Sequence, residues 1–341
     1  MRKLDETGCA IKQGRNAMKP RLWGIGLGLA TIALGIAAAE AADRPLYGVV
    51  LKTLSNPYWN AMEQGVEAGA KKAGVDILVQ AVESESATEA QLNTCNTTLE
   101  RKPTVLLTSS NNTTILLPCL KAAGDAGILV ADLDINLDAK VAAAAGVKLA
   151  FQIGSDNYLG GIQAGEWLVA KLGKDAKGPV LVIEGLAGNP AGSARAKGFA
   201  EALAKGAPGL TILGPFPGDW DRQKAANITN DALTRNPNLV AIFCSNDTMA
   251  LGAVEVLYGA GKKDIPVIGF DGTSDAVKSI NDGRLAASVA QLPFLTGQLA
   301  IETAQKVLAG GTVDKVTHVP TLVLTKQLFD EKKDPMLQYL R

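Results

Sequence analysis

Short apolar runs alternate with longer amphipathic stretches along almost the whole chain, and this alternation constrains the fold more than any other feature. Nine such runs follow residue 44, among them VDILVQAV (75–82), PVLVIEG (179–185) and LVAIFCS (239–245). Continuous apolar runs separated by helix-length intervals are typical of parallel strands that helices cover on both faces. The 36 glycines suit the many short turns that such a chain needs. We therefore predict an α/β fold with parallel sheets flanked by helices.

The length of the chain predicts two lobes. A chain of 341 residues is too long for one ordinary core, since domains commonly contain about 100 to 200 residues. Residues 135–152 are the longest irregular interval between two runs, so we expect the boundary between the lobes there. After the ninth run come a predicted helix near residues 296–308 and the extended segment THVPTLVLTK (317–326). The polar residues 331–341 are expected to form a frayed tail.

The N-terminal segment has the features of a secretory signal peptide. Lys19 and Arg21 precede an apolar run at residues 22–39, which ends in the small-residue pattern Ala-Glu-Ala at 39–41. This order of basic, apolar and small residues favours a cleaved signal over a membrane anchor. We expect residues 1–41 to be a leader whose translation starts at Met18, and the mature protein to lie in the periplasm.

Three cysteines follow the leader, and two of them are candidates for a disulfide. Cys95 and Cys119 fall in successive predicted helices that one strand separates. They are either bonded, which an oxidising compartment permits, or two thiols in apolar helix faces. Cys244 lies in the run LVAIFCS, where a buried and unreactive thiol is expected.

Polar and aromatic residues follow most of the apolar runs, at the end of the sheet where an open parallel sheet binds ligands. They offer carboxylates, amides, two cationic groups and aromatic rings. Sugar hydroxyls both donate and accept hydrogen bonds while the C–H faces of the ring are apolar, so this mixture suits a monosaccharide. The candidate ligand-binding residues are Lys52, Asn56, Tyr58, Trp59, Asp134, Asn157, Arg195, Trp220, Asn246, Phe270, Asp271 and Gln291.

Each of these residues also has a purely structural interpretation. Asn56 and Asn246 stand where turns and helix caps occur, and Trp59 and Trp220 could be packing residues. A lone arginine on a helix, such as Arg195, is usually solvated. The binding interpretation is favoured because nearly every run contributes a group of the same chemical type.

Other classes of function find little support in the sequence. His318 is the only histidine, no Ser/His/Asp or Cys/His system is suggested, and the cysteines lack zinc spacing. The glycine-rich GLAGNPAG (185–192) lacks the ending of a phosphate loop and is expected to be a tight turn. The balance of 34 basic and 34 acidic residues argues against nucleic acid as a partner. We expect a monomer that is not an enzyme and holds neither metal nor cofactor.

The chain resembles the ribose/galactose-type (type I) periplasmic sugar-binding proteins of ABC transporters over nearly all of its mature length. Lys52 and Trp59, with the run PGDWDR (217–222), are most similar to the D-allose receptors, whereas Lys52 and Ile135 depart from the ribose receptors. The motifs that carry the resemblance are KTLSNPYW (52–59), SDNYLGG (155–161), GNPAGSARAKGF (188–199), GDWDRQKA (218–225), SNDTMALGA (245–253), GFDGTSDA (269–276) and VAQLP (289–293).

The resemblance implies two Rossmann-like lobes joined by three crossovers. The N-terminal lobe would comprise residues 42–154 and 292–320, and the C-terminal lobe residues 155–291 and 321–330, with 331–341 as the tail. A monosaccharide, D-allose or a related hexose or pentose, would bind between the closing lobes. The closed form would then dock on the permease of an ABC importer and its ATPase. The alternative is a sensor that presents its liganded form to a chemoreceptor or a sensor kinase.

Overall fold

The computed structural model describes residues 44–135 and 137–340, which contain twelve strands. The predicted signal peptide lies outside the described residues. None of the helices in the described part of the chain is long and apolar enough to cross a bilayer. The strands are β1 (Leu46–Thr53), β2 (Asp76–Val82), β3 (Val105–Thr108), β4 (Leu129–Leu133), β5 (Leu149–Ser155), β6 (Gly178–Glu184), β7 (Leu210–Pro217), β8 (Ala241–Cys244), β9 (Val267–Asp271), β10 (Ala287–Ala290), β11 (Val316–Val319) and β12 (Leu322–Leu324).

The strands form two six-stranded sheets. The first sheet has the order β11-β5-β4-β3-β1-β2, and the second has the order β12-β10-β9-β8-β6-β7. Neighbouring strands in the described residues are parallel, except that β10 and β12 are antiparallel. The structure thus confirms the predicted α/β fold with two Rossmann-like lobes.

Helices cover both faces of each sheet, so each sheet has an apolar cluster on either side. This double cover explains why the strands are continuous apolar runs rather than alternating ones. The helices are α1 (Pro57–Ala73), α2 (Thr88–Glu100), α3 (Leu117–Asp125), α4 (Ala139–Ala144), α5 (Asn157–Leu172), α6 (Pro190–Gly206), α7 (Arg222–Arg235), α8 (Asp247–Gly259), α9 (Ser274–Asn281), α10 (Pro293–Leu308), α11 (Lys326–Glu331) and a 3₁₀ helix at Pro335–Tyr339.

The chain passes between the two sheets three times. It leaves the first sheet after β5, returns to it after β10 through α10, and crosses once more between β11 and β12. Three connections of this kind let two rigid lobes move about a common hinge.

Helix α1 begins where the sequence places two aromatic residues of the candidate site. The Oδ1 atom of Asn56 accepts a hydrogen bond from the backbone N–H of Tyr58 at 3.1 Å, and Pro57 occupies the first helical position. An amide cap followed by proline is a strong start signal, because proline lacks an N–H that would be unpaired there. Tyr58 and Trp59 therefore lie in the first turn of α1, directly after β1.

The prediction of an irregular interval at residues 135–152 is wrong. The interval contains α4 and the first half of β5, which pairs with β4 and β11 in the first sheet. The chain therefore leaves this sheet only after Ser155. Strand β5 was missed in the sequence analysis because Gln152 interrupts its apolar run. The amide of this buried glutamine donates to Asp132 and to the carbonyl of Leu137, both at 2.8 Å, so it can occupy a core position.

The prediction of a frayed tail is also wrong. Residues 335–339 form a 3₁₀ helix that Asp334 caps by accepting from the N–H of Met336. The apolar side chains that follow the charged residues 330–334 pack against the core of the second lobe. They are Met336, Leu337, Tyr339 and Leu340.

Removing residues 334–341 is expected to lower the free energy of unfolding by about 2 kcal/mol, because it deletes four partly buried apolar side chains and exposes the core residues that they cover. Calorimetric or urea unfolding of the purified protein measures this loss. Lys333→Ala, which changes an exposed side chain just before the cut, serves as the control. An unchanged unfolding transition in the truncated protein would show that the tail contributes nothing to stability.

The two candidate cysteines are joined in the structure. A disulfide links Cys95 on α2 to Cys119 on α3, so of the two alternatives the bonded one is present. Both residues are buried in the apolar cluster that contains Val50 and Leu106. Cys244 is buried and unbonded, as expected, and burial raises the pKa of its thiol.

Candidate functional site

A cavity lies between the lobes, at the carboxyl ends of strands from both sheets. Ten of its twelve lining residues belong to the predicted set, and the two others are Glu85 and Ala191. Two predicted residues, Asn157 and Phe270, do not line the cavity but lie behind Arg195. The lining residues are Lys52, Asn56, Tyr58, Trp59, Glu85, Asp134, Ala191, Arg195, Trp220, Asn246, Asp271 and Gln291.

The first lobe places a buried lysine between two carboxylates. The Nζ atom of Lys52 lies 3.9 Å from Glu85 Oε2 and 3.9 Å from Asp134 Oδ2, and 5.1 Å from the ring centre of Trp59. The hydroxyl of Tyr58 donates to Asp134 Oδ1 at 2.7 Å. Burial, and then the charge of Asp134, raise the pKa of Tyr58 well above its ordinary value, so the phenol stays protonated. This half of the site thus combines an ammonium, a phenol and two carboxylates.

Glu85, which was missed in the sequence analysis, is a lining residue that accepts hydrogen bonds from two other lining residues. Its Oε1 accepts hydrogen bonds from Asn56 Nδ2 at 3.1 Å and from Trp59 Nε1 at 2.9 Å. It stands in ESES (83–86), a polar stretch that has the composition of a solvated turn. The signal that could have found it is its position shortly after the second apolar run, since the other candidates were chosen by the same rule.

The second lobe is organised around the guanidinium of Arg195. Its Nε donates to Asn157 Oδ1 at 2.8 Å, and its Nη1 donates to the carbonyl of Ser245 at 2.7 Å and to Asp271 Oδ1 at 3.4 Å. The ring of Phe270 stacks beneath it, with its centre 4.0 Å from Cζ. The structural interpretation of Arg195 as a solvated helix charge is therefore wrong, because 96% of its surface is covered.

Asp134 from the first lobe and Asp271 from the second lobe both line the cavity. Both residues have positive φ, 71° and 117° respectively, which is uncommon for residues other than glycine and typical of functional positions. Asp271 Oδ1 also accepts from Gln291 Nε2 at 2.6 Å. Burial raises the pKa of Asp271, while the neighbouring Arg195 opposes that shift.

Three buried polar atoms of residues that line the cavity have no hydrogen-bond partner among the described residues. They are Trp220 Nε1, Asn246 Nδ2 and Gln291 Oε1, all of them buried and all from the second lobe. A buried polar atom without a partner costs about 1 to 3 kcal/mol. These two donors and one acceptor could therefore form hydrogen bonds with a polar ligand or an ordered water molecule.

The glycine-rich segment 185–192 makes room for Trp220 rather than for a phosphate. A Cβ atom on Gly185 would collide with the Trp220 ring, and one on Gly192 would come within 3.2 Å of it. Asn189 caps α6 by accepting from the N–H groups of Ala191 and Gly192. The segment is thus a tight strand-to-helix turn, as the sequence predicted.

Asp132, on β4 behind the site, gives a prediction about pH. Burial raises its pKa from 3.8 to about 7, against hydrogen bonds from Gln152 and Leu137. Between these values the folded protein holds a proton that the unfolded chain has released, so stability falls as the pH rises. Because asparagine does not titrate, the stability of Asp132→Asn relative to wild type should rise by on the order of 3 kcal/mol from pH 4 to 7. Urea unfolding across this range measures the difference, with the exposed Asp264→Asn as control. Parallel curves for variant and wild type would contradict the prediction.

Comparisons with known proteins agree with this geometry. The model of the periplasmic binding protein domain family matches residues 47–312. The ribose import binding protein of Escherichia coli is 35% identical over 304 residues, covering 88% of this chain and 98% of that protein. The D-allose-binding periplasmic protein of Escherichia coli is 34% identical over 305 residues, or 89% of this chain and 95% of that protein.

Solved structures show the same fold with sugars bound. A periplasmic solute-binding protein of an ABC transporter from Actinobacillus succinogenes, crystallised with D-allose, has a TM-score of 0.80 and 34% identity, covering 84% of this chain and all of that one. A solute-binding protein from Agrobacterium vitis with bound D-fucose has a TM-score of 0.78 and 28% identity, covering 86% and 99% of the two chains.

Proposed function

The chain belongs to the periplasmic binding protein family, and on that premise we propose that it captures a neutral monosaccharide and delivers it to an ABC importer. Its relatives are solute-binding proteins, and the protein is not an enzyme. The observation that carries the proposal is that three lining residues have buried polar atoms without a partner among the described residues, namely two donors and one acceptor. A sugar can satisfy all three, because each of its hydroxyls donates and accepts.

The charges of the site favour a neutral ligand over a sugar acid or sugar phosphate. Two cations, Lys52 and Arg195, line the cavity with three carboxylates, Glu85, Asp134 and Asp271. Each cation already lies within 4 Å of a carboxylate. An anionic ligand would therefore meet cations that already have carboxylate partners, and it would be repelled by those carboxylates in a buried site.

D-Allose or a related hexose or pentose is the ligand that the relatives support. The relatives in Escherichia coli are named for ribose and for D-allose, and the similar structure from Actinobacillus succinogenes holds D-allose. Lys52, the residue by which the sequence resembles the allose receptors, is buried at the cavity beside Asp134. We propose the same periplasmic location for this chain, reached through cleavage of residues 1–41.

Closure of the lobes follows from the division of the contacts. Lys52, Tyr58 and Asp134 come from the first lobe, whereas Arg195 and Asp271 come from the second. A sugar can contact both sets only when the lobes are closed, so binding shifts the population toward the closed form. That form presents surfaces of both lobes together to a permease.

Calorimetry with a panel of sugars tests the proposal. Protein freed of endogenous ligand by unfolding and refolding is titrated with allose, ribose, psicose, xylose and galactose, and with glucuronate as an anionic comparison. We expect at least one neutral sugar to bind with micromolar affinity or better, and glucuronate to bind much more weakly. If no monosaccharide binds more tightly than millimolar, the proposed function fails. Loss of uptake of the bound sugar in cells lacking the gene would test delivery to an importer.

A further inference from the structure

We propose that Glu85 is a positioning residue that fixes the first-lobe half of the cavity and thereby sets which sugar is selected. The inference rests on the proposed function and names a residue that controls its specificity. Glu85 lies on the turn between β2 and α2, and only 10% of its side chain is exposed. Its two carboxylate oxygens interact with three lining residues, Asn56, Trp59 and Lys52.

One oxygen of Glu85 fixes the amide of Asn56. The Nδ2 group of Asn56 donates to Glu85 Oε1, while Asn56 Oδ1 accepts from the N–H of Tyr58 as the cap of α1. The amide therefore cannot rotate by half a turn without losing both bonds. One N–H of Asn56 remains for a ligand, and its direction is determined.

Because of the same oxygen, the two tryptophans of the cavity differ in the hydrogen bonds that they can donate to a ligand. An indole has a single N–H, and that of Trp59 donates to Glu85 Oε1 at 2.9 Å. Trp59 can thus offer a sugar only its apolar ring surface. The N–H of Trp220 is buried without a partner in the described residues, so Trp220 can donate to a hydroxyl. Trp59 can therefore contact a C–H face of the sugar, whereas Trp220 can donate to one of its hydroxyls.

The other oxygen of Glu85 attracts the Lys52 ammonium, which Asp134 attracts as well. Lys52 Nζ lies 3.9 Å from Glu85 Oε2 and 3.9 Å from Asp134 Oδ2, and the lysine is 2% exposed. Removing the Glu85 charge would remove one of these two attractions and favour a shift of the ammonium toward Asp134. Asp134 also accepts from Tyr58, so a closer lysine would change the hydrogen bonds that this carboxylate can make with a sugar hydroxyl.

Calorimetry of Glu85 variants tests the proposal with the panel of neutral sugars. We expect Glu85→Ala to bind the preferred sugar at least thirtyfold more weakly and to lose most of the preference among epimers. Glu85→Gln, which keeps an acceptor for Asn56 and Trp59, should lose about three- to tenfold. Glu83→Gln, an exposed glutamate two residues away, is the matched control and should bind like wild type.

A double-mutant cycle separates positioning from a general structural role. If Glu85 acts partly through Lys52, Glu85→Gln should cost at least threefold less affinity in a Lys52→Met background than in wild type. Equal losses for every sugar, with no coupling to Lys52, would overturn the proposal. Wild-type selectivity in Glu85→Ala would overturn it as well.

Fluorescence of the ligand-free protein tests the same anchor without any sugar. With Trp167→Phe and Trp220→Phe, Trp59 is the only tryptophan left after the leader. Glu85→Ala should then shift the emission of Trp59, because its indole N–H loses a buried carboxylate partner. An unchanged emission would overturn the anchoring role. If wild type binds no sugar, the proposed function fails, and this measurement still decides whether Glu85 fixes Trp59.

Discussion

Replacing Asp271 by alanine is expected to weaken monosaccharide binding at least a hundredfold. Hydrogen bonds to a charged acceptor contribute about 1.5 to 3 kcal/mol each, and a carboxylate can accept from two sugar hydroxyls. Every 1.4 kcal/mol of binding energy corresponds to about a factor of ten in affinity. The substitution also removes an acceptor from Arg195 and from Gln291, whose amide donates to Asp271 Oδ1 at 2.6 Å.

Two further variants give this result its meaning. Asp271→Asn keeps the shape and one acceptor, so its affinity should fall between those of wild type and Asp271→Ala. Asp264→Ala removes an exposed carboxylate from the same lobe and should bind normally. Calorimetric titration with the preferred sugar gives the affinities, and thermal unfolding without sugar shows whether each variant is folded. Near-normal binding by a folded Asp271→Ala protein would remove Asp271 from the site.

The fold was largely predictable because strands covered on both faces leave long apolar runs in the sequence. The strand that was missed, β5, contains Gln152, a polar residue that is acceptable in the core only because Asp132 and the carbonyl of Leu137 receive its hydrogen bonds. The sequence also does not show which sheet each of two neighbouring strands joins. THVPTLVLTK is one extended stretch, yet β11 joins the first sheet and β12 the second, with Pro320 between them.

The site was predictable to the extent that it follows one geometric rule. Residues at the carboxyl ends of parallel strands meet, and this rule brings Lys52, Asp134 and Asp271 to one cavity. The rule does not say which side chains reach the cavity wall and which support it from behind. Asn157 and Phe270 satisfy the rule but contact Arg195 from behind the wall. That distinction depends on how side chains from α5, α6 and β9 pack within the second lobe, which no local pattern encodes.

Replacing both Cys95 and Cys119 by alanine is expected to lower the free energy of unfolding by about 3 kcal/mol. The disulfide joins residues 24 positions apart, and closing a loop of that length in the unfolded chain accounts for roughly this amount in the chain-entropy model. Neither cysteine lines the cavity. The sugar affinity should therefore stay within about twofold of wild type.

Urea unfolding with and without a reductant provides the matched control. The reductant should lower the unfolding midpoint of wild type and leave the double alanine variant unchanged, because only wild type contains a reducible bond in its mature part. A wild-type midpoint that does not respond to full reduction would contradict a stabilising role for the bond.

The location of the disulfide predicts how the loss is distributed over the molecule. Both cysteines belong to an apolar cluster of the first lobe, and the second lobe has clusters of its own. The loss of stability should therefore fall on the first lobe. The unfolding transitions of the two lobes should then lie further apart in the variant than in wild type. A sugar that contacts both lobes stabilises the folded protein against unfolding by about 2.7 kcal/mol at a hundred times its dissociation constant. Saturating sugar should thus bring the two transitions of the variant together again, whereas a ligand held by one lobe alone would leave them apart.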